Sequence, residues 1–154
     1  MRDSAEPLLS LSEWLVVCVA AEEPTHGFAI AAQLRRDSAL GAVWYVARQH
    51  VYRCLERLVA LGLIRELGSE RSSTGPARHR CEVTPGGRQL AGAWLARPAQ
   101  HCRDVRSELL VKLALLDRAG ADPGGLVRAQ RDRLAPIAGA LDERLRSGRG
   151  LSAP

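Results

Sequence analysis

Apolar residues recur at spacings of three and four along most of this chain, and only one short stretch alternates. That pattern predicts helices around a single β-hairpin. The first helix runs through EWLVVCVAA, with Ser10 or Ser12 as cap and Glu13 in its first turn. It is apolar nearly all round, so both of its sides should be covered. Glu22-Glu23-Pro24 ends it, and Thr25 is expected to cap a second helix, HGFAIAAQLRR, with Phe28, Ile30, Ala31 and Leu34 facing inward. Gly27 near its start suggests close packing against another backbone. Residues 37–46 form a connector with Val43-Trp44. A third helix, 47–61, buries Val51, Leu55, Leu58, Val59 and Leu61, and Gly62 closes it. Its outer surface carries Arg48, Gln49, Tyr52, Arg53, Glu56 and Arg57.

The hairpin follows directly. Residues 63–67 form one strand, 68–77 (GSERSSTGPA) a Ser/Gly/Pro-rich loop, and 78–84 the return strand. In that strand His79, Cys81 and Val83 face one way, and Arg78, Arg80 and Glu82 the other. An isolated hairpin is marginally stable, so it must lie on the helices. Thr84-Pro85 begins a fourth helix through Leu90 and Trp94, and Arg97-Pro98 ends it. A fifth, 101–119, carries Val105, Leu109, Leu113 and Leu116 on one stripe, which Leu110, Val111, Ala114 and Leu115 widen beyond half its surface, and is too apolar for the edge of a small monomer. A last helix runs to about residue 146 with Leu126, Gln130, Leu134, Ile137, Leu141 and Leu145 in a near-heptad series, and Pro136 is expected to kink or split it.

The chain therefore divides into a flexible arm (1–9), a winged helix-turn-helix unit (10–97), a helical dimerisation region (98–146) and a disordered tail (147–154). The fold class is mainly α with a small β-hairpin. Composition agrees: hydrophobic residues make up 46% and aromatics 4%, so the core is Leu, Val and Ala in helices. The net charge of +5 is unevenly placed. Residues 1–37 carry −3, 38–97 carry +5 and 98–154 carry +3, which puts the excess on the third helix and the hairpin. The apolar run 14–21 is too short to span a bilayer, and no basic region with a cleavage site frames it. Cys18, Cys54, Cys81 and Cys102 lie far apart and outline neither a disulfide framework nor a CxxC site. The chain reads as cytoplasmic, with reduced thiols, no membrane association and no cofactor.

Arg and Gln can read base edges bidentately, and Tyr and further Arg can hold phosphates. The DNA-binding candidates are thus Arg48, Gln49, His50, Tyr52, Arg53 and Arg57 on the third helix, with Arg71, Arg78 and Arg80 on the hairpin. A bland amphipathic helix and an idle polar hairpin are the alternatives, and the helix–helix–basic helix–hairpin order favours DNA. The surplus apolar helices point to a homodimer through Trp14, Val105, Leu109, Leu113, Leu116, Leu134, Ile137 and Leu141. Trp14 and Trp94 would then neighbour the seam, where a small aromatic effector could stack.

Taken together, HGFAI, HVYRCLERLVALGLI, TGPARHRCEVTPGGR and RSELLVKLALL, in this order and spacing, resemble PadR-type transcriptional regulators over roughly residues 9–145. By position, Val51-Tyr52 and Leu55 to Leu58 match that family's reading helix. Gly75-Pro76 with Arg78 match its wing turn, and Val83-Thr84 and Gly87 match the start of its fourth helix. Cys81 stands where the family usually has an aromatic residue. The resemblance implies a winged helix domain, C-terminal helices that build a homodimer, and repression of nearby promoters that a small molecule relieves in many members. The short tail is similar to the family's shorter branch, with two modest C-terminal helices.

An enzyme fits poorly, because the chain has no phosphate-binding Gly loop, HExxH or GxSxG. His79 and Cys81 share a strand face, but two ligands do not make a metal site. The remaining alternative is a winged-helix module for protein contact without specific DNA binding.

Overall fold

The computed structural model describes residues 7–70 and 78–148. Its elements, in order, are α1 (Leu11–Ala20), β1 (Thr25–His26), α2 (Gly27–Gln33), α3 (Ala39–Val43), α4 (Arg48–Ala60), β2 (Ile64–Glu70), β3 (Arg78–Val83) and α5 (Pro85–Ala96). α6 (Cys102–Asp104) then continues through a π-helical segment (Val105–Leu109) into α7 (Leu110–Arg118), and α8 (Gly124–Gly148) closes the chain.

Every residue of α1 from Glu13 to Ala20 is buried, with Leu15, Val16 and Val17 at 0% exposure. Each such side chain contributes roughly 1.5–3 kcal/mol by leaving water. The helix is therefore the post around which α4, α5 and the sheet pack. Its N-terminus is a capping box. The Glu13 N–H donates to Ser10 Oγ at 3.3 Å, and the Ser10 N–H donates to Glu13 Oε2 at 2.6 Å.

The β structure departs from a plain hairpin. Thr25 and His26 form a third strand, giving the antiparallel order β1-β3-β2 with Thr25 opposite Cys81 and His26 opposite Arg80. Thr25 thus pairs in a sheet and does not cap α2. That task falls to His26, whose Nδ1 accepts the Ala29 N–H at 3.1 Å. Pairing of β2 with β3 runs from Ile64–Val83 to Glu66–Cys81, then shifts register before Gly68–Arg80. The connector is also more ordered than its sequence indicates. Ser38 caps the short α3, and a Cβ on Gly41 would lie 1.8 Å from the Arg35 carbonyl oxygen, so only glycine lets the chain cross there.

The two helices flanking the hairpin end and begin as expected. Gly62 has φ +70° and closes α4. Thr84 caps α5, its Oγ1 accepting the Gly87 N–H at 3.1 Å and donating to the Gly62 carbonyl at 2.8 Å. One hydroxyl therefore joins both ends of the hairpin's base.

The C-terminal half differs from the apolar stripe expected of it. The buried face of α7 is Val111, Lys112 and Leu115, while Val105, Leu109, Leu113 and Leu116 are only half-buried. Within α7 these are neighbouring sides of one helix, so Leu113 and Leu116 flank the face that Val111, Lys112 and Leu115 bury. Lys112 is fully buried. Its Nζ donates to the Arg97 carbonyl at 2.6 Å and to Glu108 at 2.5 Å, and stands 4.5 Å from the Trp94 ring centroid. Burial lowers its pKa, and Glu108 partly offsets the shift. Arg118 fastens the end of α7 to the post, donating to both Glu22 carboxylate oxygens at 2.7 and 2.9 Å.

α8 passes through Pro136 without the expected break. It is fixed at its start by Gln130, whose buried amide accepts the Ala99 N–H at 2.7 Å and donates to the Ala99 carbonyl at 3.2 Å. Among residues 131–148 only Leu134 is half-buried and the rest are exposed. The helix includes Ser147 and Gly148, which were expected in a disordered tail. The rest of that tail, and residues 1–6 of the proposed arm, lie outside the described residues.

Burial pushes the Cys18 thiol up to about 12 and the Cys54 thiol up to about 11, and raises that of Cys81 as well, while Cys102 is exposed. A maleimide should therefore label the native protein once, at Cys102. Labelling of Cys18, Cys54 or Cys81 without denaturant, read by peptide mass, would show that this core is not closed.

Candidate nucleic-acid interface

Position on α4 decides what each side chain can reach. Val51, Cys54 and Leu58 are buried against the core, and Leu55 and Val59 are half-buried beside them. Arg48, Gln49, His50, Tyr52 and Arg53 are exposed on the first two turns. The helix begins at Ala47, where no side chain caps it. Its free N–H groups and positive dipole end therefore lie beside the exposed arginines, an arrangement suited to a phosphate.

Arg48 lies beside two aromatic rings, one of them, Phe28, expected in the core. Its guanidinium carbon stands 5.3 Å from the Phe28 ring centroid and 6.0 Å from that of Tyr52. Phe28, expected to face inward, is 47% exposed. It lies beside the 27–30–31–34 stripe of α2 rather than on it, and that offset was the available signal. Arg36 likewise sits 4.1 Å over the ring of Tyr45, which is exposed on the connector. Arg36 and Tyr45 were not among the predicted contacts, and they extend the cationic, aromatic surface past the start of α4. Gly27 sets the spacing of this surface. A Cβ there would meet Tyr52 Cε1 at 2.6 Å and Leu55 Cδ1 at 3.0 Å, so the missing side chain lets α4 lie directly on α2.

Arg57 is the clearest correction within α4. Its guanidinium donates to both carboxylate oxygens of Glu13, at 2.7 and 2.8 Å, and to the Leu8 carbonyl at 3.1 Å. It faces α1 and is not aligned with the exposed readers. Burial alone would raise the Glu13 carboxyl, but the Ser10 backbone N–H and then Arg57 outweigh it, and the pKa is lowered.

On the hairpin, Arg65 of β2 pairs with Glu82 of β3, and Arg80 is half-buried. The backbone of Arg78 pairs with that of Glu70, and Arg71 at the tip lies outside the described residues. Cys81, in place of an aromatic residue, is 5% exposed and sits between Thr25 and Glu66 on the central strand. Smaller than a ring, it leaves open space beside α4.

The expected seam residues separate into two groups. Ile137 and Leu141 are 42% and 54% exposed on α8. Trp14 is buried inside the protomer at 6% exposure and cannot line an outer seam. Nor is the Trp14–Trp94 pair open to an aromatic ligand. The two rings stack on each other at 4.9 Å and 5°, and Lys112 occupies the neighbourhood of Trp94. Among the described residues no helix is long and apolar enough to cross a membrane, and no three His, Cys, Asp or Glu side chains form a metal-binding group.

Three helices, a three-stranded sheet and an exposed third-helix face define a winged helix-turn-helix protein. A model of the transcriptional regulator PadR-like family matches residues 16–93, and the chain belongs to that family. Its fold is similar to that of Bacillus subtilis PadR, solved in complex with operator DNA, at 17% identity and a TM-score of 0.56, over 94% of this chain and 80% of that one. A PadR family regulator from Clostridium difficile R20291 aligns at 18% identity and a TM-score of 0.46, over 73% of this chain and 100% of that one. Lactococcus lactis ZitR in complex with DNA aligns at 13% identity and a TM-score of 0.43, over 94% and 81%. No protein of curated function matches in sequence.

Arg53 and Arg57, four residues apart, should therefore respond oppositely to truncation. Arg57→Ala should lower stability by about 2 kcal/mol, under the 3–5 kcal/mol range for a fully buried pair because Arg57 is half-exposed. Its loss should also reduce the acid sensitivity due to Glu13, whose carboxylate keeps only the Ser10 contacts. A lowered carboxyl pKa stabilises above its ordinary value of 4.5 and loses that contribution as pH falls through the folded value. Arg53→Ala should leave the urea midpoint unchanged. A shifted midpoint for Arg53→Ala and none for Arg57→Ala would reverse the assignment.

Proposed function

We propose that this chain is a sequence-specific double-stranded-DNA-binding regulator that represses as a homodimer on an inverted repeat. The observation that carries the reading is the face of Arg48, Gln49, Tyr52 and Arg53, exposed opposite the buried Val51, Cys54 and Leu58 and beside the hairpin. In the major groove, Gln49 and Arg53 would read base edges, Tyr52 and Arg48 would fix the helix against phosphates, and the hairpin's Arg71, Arg78 and Arg80 would reach the adjoining backbone. That PadR and ZitR were solved with DNA supports the same partner here. Repression needs no further contact, since a dimer seated on a promoter excludes the polymerase by occupancy.

Dimerisation has separate support. Leu134, Ile137, Leu141 and Leu145 fall three and four residues apart on α8, and Ile137, Leu141 and Leu145 are 42%, 54% and 66% exposed. An apolar stripe of this kind is covered in water by a partner helix. On this reading residues 10–97 bind DNA and 98–146 pair the protomers. Release by a small molecule, which the family resemblance implies, gains no support at the closed Trp14–Trp94 stack.

A gel-shift titration against the DNA flanking the protein's own gene tests the binding. Gln49→Ala and Arg53→Ala should each cost about 1–3 kcal/mol of discrimination against a mutated operator, while raised salt weakens all binding. Equal affinity of parent and variants for operator and random DNA would refute the reading helix. Leu141→Glu, at an exposed position, should give a folded monomer by ultracentrifugation with weakened operator binding, and an unchanged dimer would refute the α8 seam.

A further inference from the structure

A cleft of about 400 Å³ lies between α4 and the sheet, beside the exposed readers and separate from the Trp14–Trp94 stack. This is within the roughly 300–1,000 Å³ range of small-molecule sites. Leu55 and Val59 give it an apolar wall on the helix side, and Cys81 forms part of the sheet side. The Cys81 thiol is 5% exposed with its pKa raised by burial, so it faces the cleft as a neutral, weakly polar surface. Gly27 borders it where Tyr52 and Leu55 pack against the bare backbone of α2.

Two carboxylates point to the ligand's charge. Glu56 on α4 and Glu66 on β2 both line this space, and neither has a hydrogen-bond or ion-pair partner among the described residues. Glu13, Glu22, Glu82 and Glu108, by contrast, each engage an arginine or lysine. An anion would be repelled from the cleft. A metal ion is disfavoured because no three ligating side chains converge among the described residues. DNA phosphates would also be repelled here, which separates this side of α4 from its reading face. A body of aromatic or aliphatic carbon bearing an ammonium satisfies both the apolar wall and the two charges.

We propose that the cleft between α4 and the hairpin is a binding site for a small apolar organic cation, held by Glu56 and Glu66 against Leu55, Val59 and Cys81. Tyr52 borders both the cleft and the reading surface, so an occupant presses on a side chain that faces DNA. Ligand binding is thereby joined to DNA binding through one residue. The site goes beyond the DNA-binding reading and stands or fails without it, because it is measured on the free protein.

Calorimetric titration of the full chain without DNA provides the test, with three probes that share one ring system. Naphthylmethylamine should bind saturably, at least about tenfold tighter than naphthalenemethanol or naphthoate, the gain expected of two partly desolvated charge pairs. The double variant Glu56→Gln/Glu66→Gln, altered only at exposed positions, should lose that preference while binding the alcohol as the parent does. Amide shifts on amine binding should centre on Leu55, Val59 and Cys81. No saturable binding, equal affinity for amine and naphthoate, an unaffected double variant or shifts centred elsewhere would each overturn the proposal.

Discussion

A single buried carboxylate holds the reading helix to the rest of the molecule. Glu13 is 5% exposed, and its two oxygens accept three contacts from two donors: the Ser10 N–H that starts α1, and one Arg57 guanidinium nitrogen that reaches both oxygens. A charge taken out of water is stable only when its lone pairs are filled, so the start of α1 and the rotation of α4 are specified together. With Arg57 turned to Glu13, the helix can present only one set of side chains outward, and that set is Arg48, Gln49, Tyr52 and Arg53. The same guanidinium reaches the Leu8 carbonyl and so pins the chain before α1 as well.

The fold was legible where a local rule decides a residue's role. Ser10 and Glu13, Gly62, and Thr84-Pro85 are punctuation that acts through neighbouring backbone, and each does what its sequence position implies. The alternating β3 strand was equally plain. What was not legible depends on distant partners. Thr25 and His26 look like a helix start until β3 is placed beside them, since a two-residue strand has no periodicity of its own. On 101–119 the leucines mark the stripe, and Lys112, three residues after Leu109 and four before Leu116, is buried where no composition rule would put an ammonium.

Of the candidate site, the exposed face was legible and its partners were not. Identity and spacing marked Arg48, Gln49, Tyr52 and Arg53 as outward on the first turns of α4. They could not separate Arg53 from Arg57, because a helical wheel marks both as outward and only the buried Glu13 distinguishes them. Phe28, Arg36 and Tyr45 were missed for a related reason. Their value lies in stacking across elements, and aromatic residues are assigned to the core by default. The tryptophans show the converse: Trp14 and Trp94 suggested a ligand platform, and each ring instead closes the face of the other.

The attachment of α8 has a mechanical consequence. Gln130 grips the backbone of Ala99 by two hydrogen bonds, Arg133 adds a longer one to the Gln100 carbonyl at 3.4 Å, and residues 131–148 extend roughly 27 Å from the clamp at 1.5 Å per residue. A rod clamped at one end is a lever. A tilt of about 10° at the clamp displaces the far end by about 5 Å, more than the 3.4 Å step between base pairs along one strand. The geometry of one buried amide therefore sets where anything carried on that rod stands relative to α4.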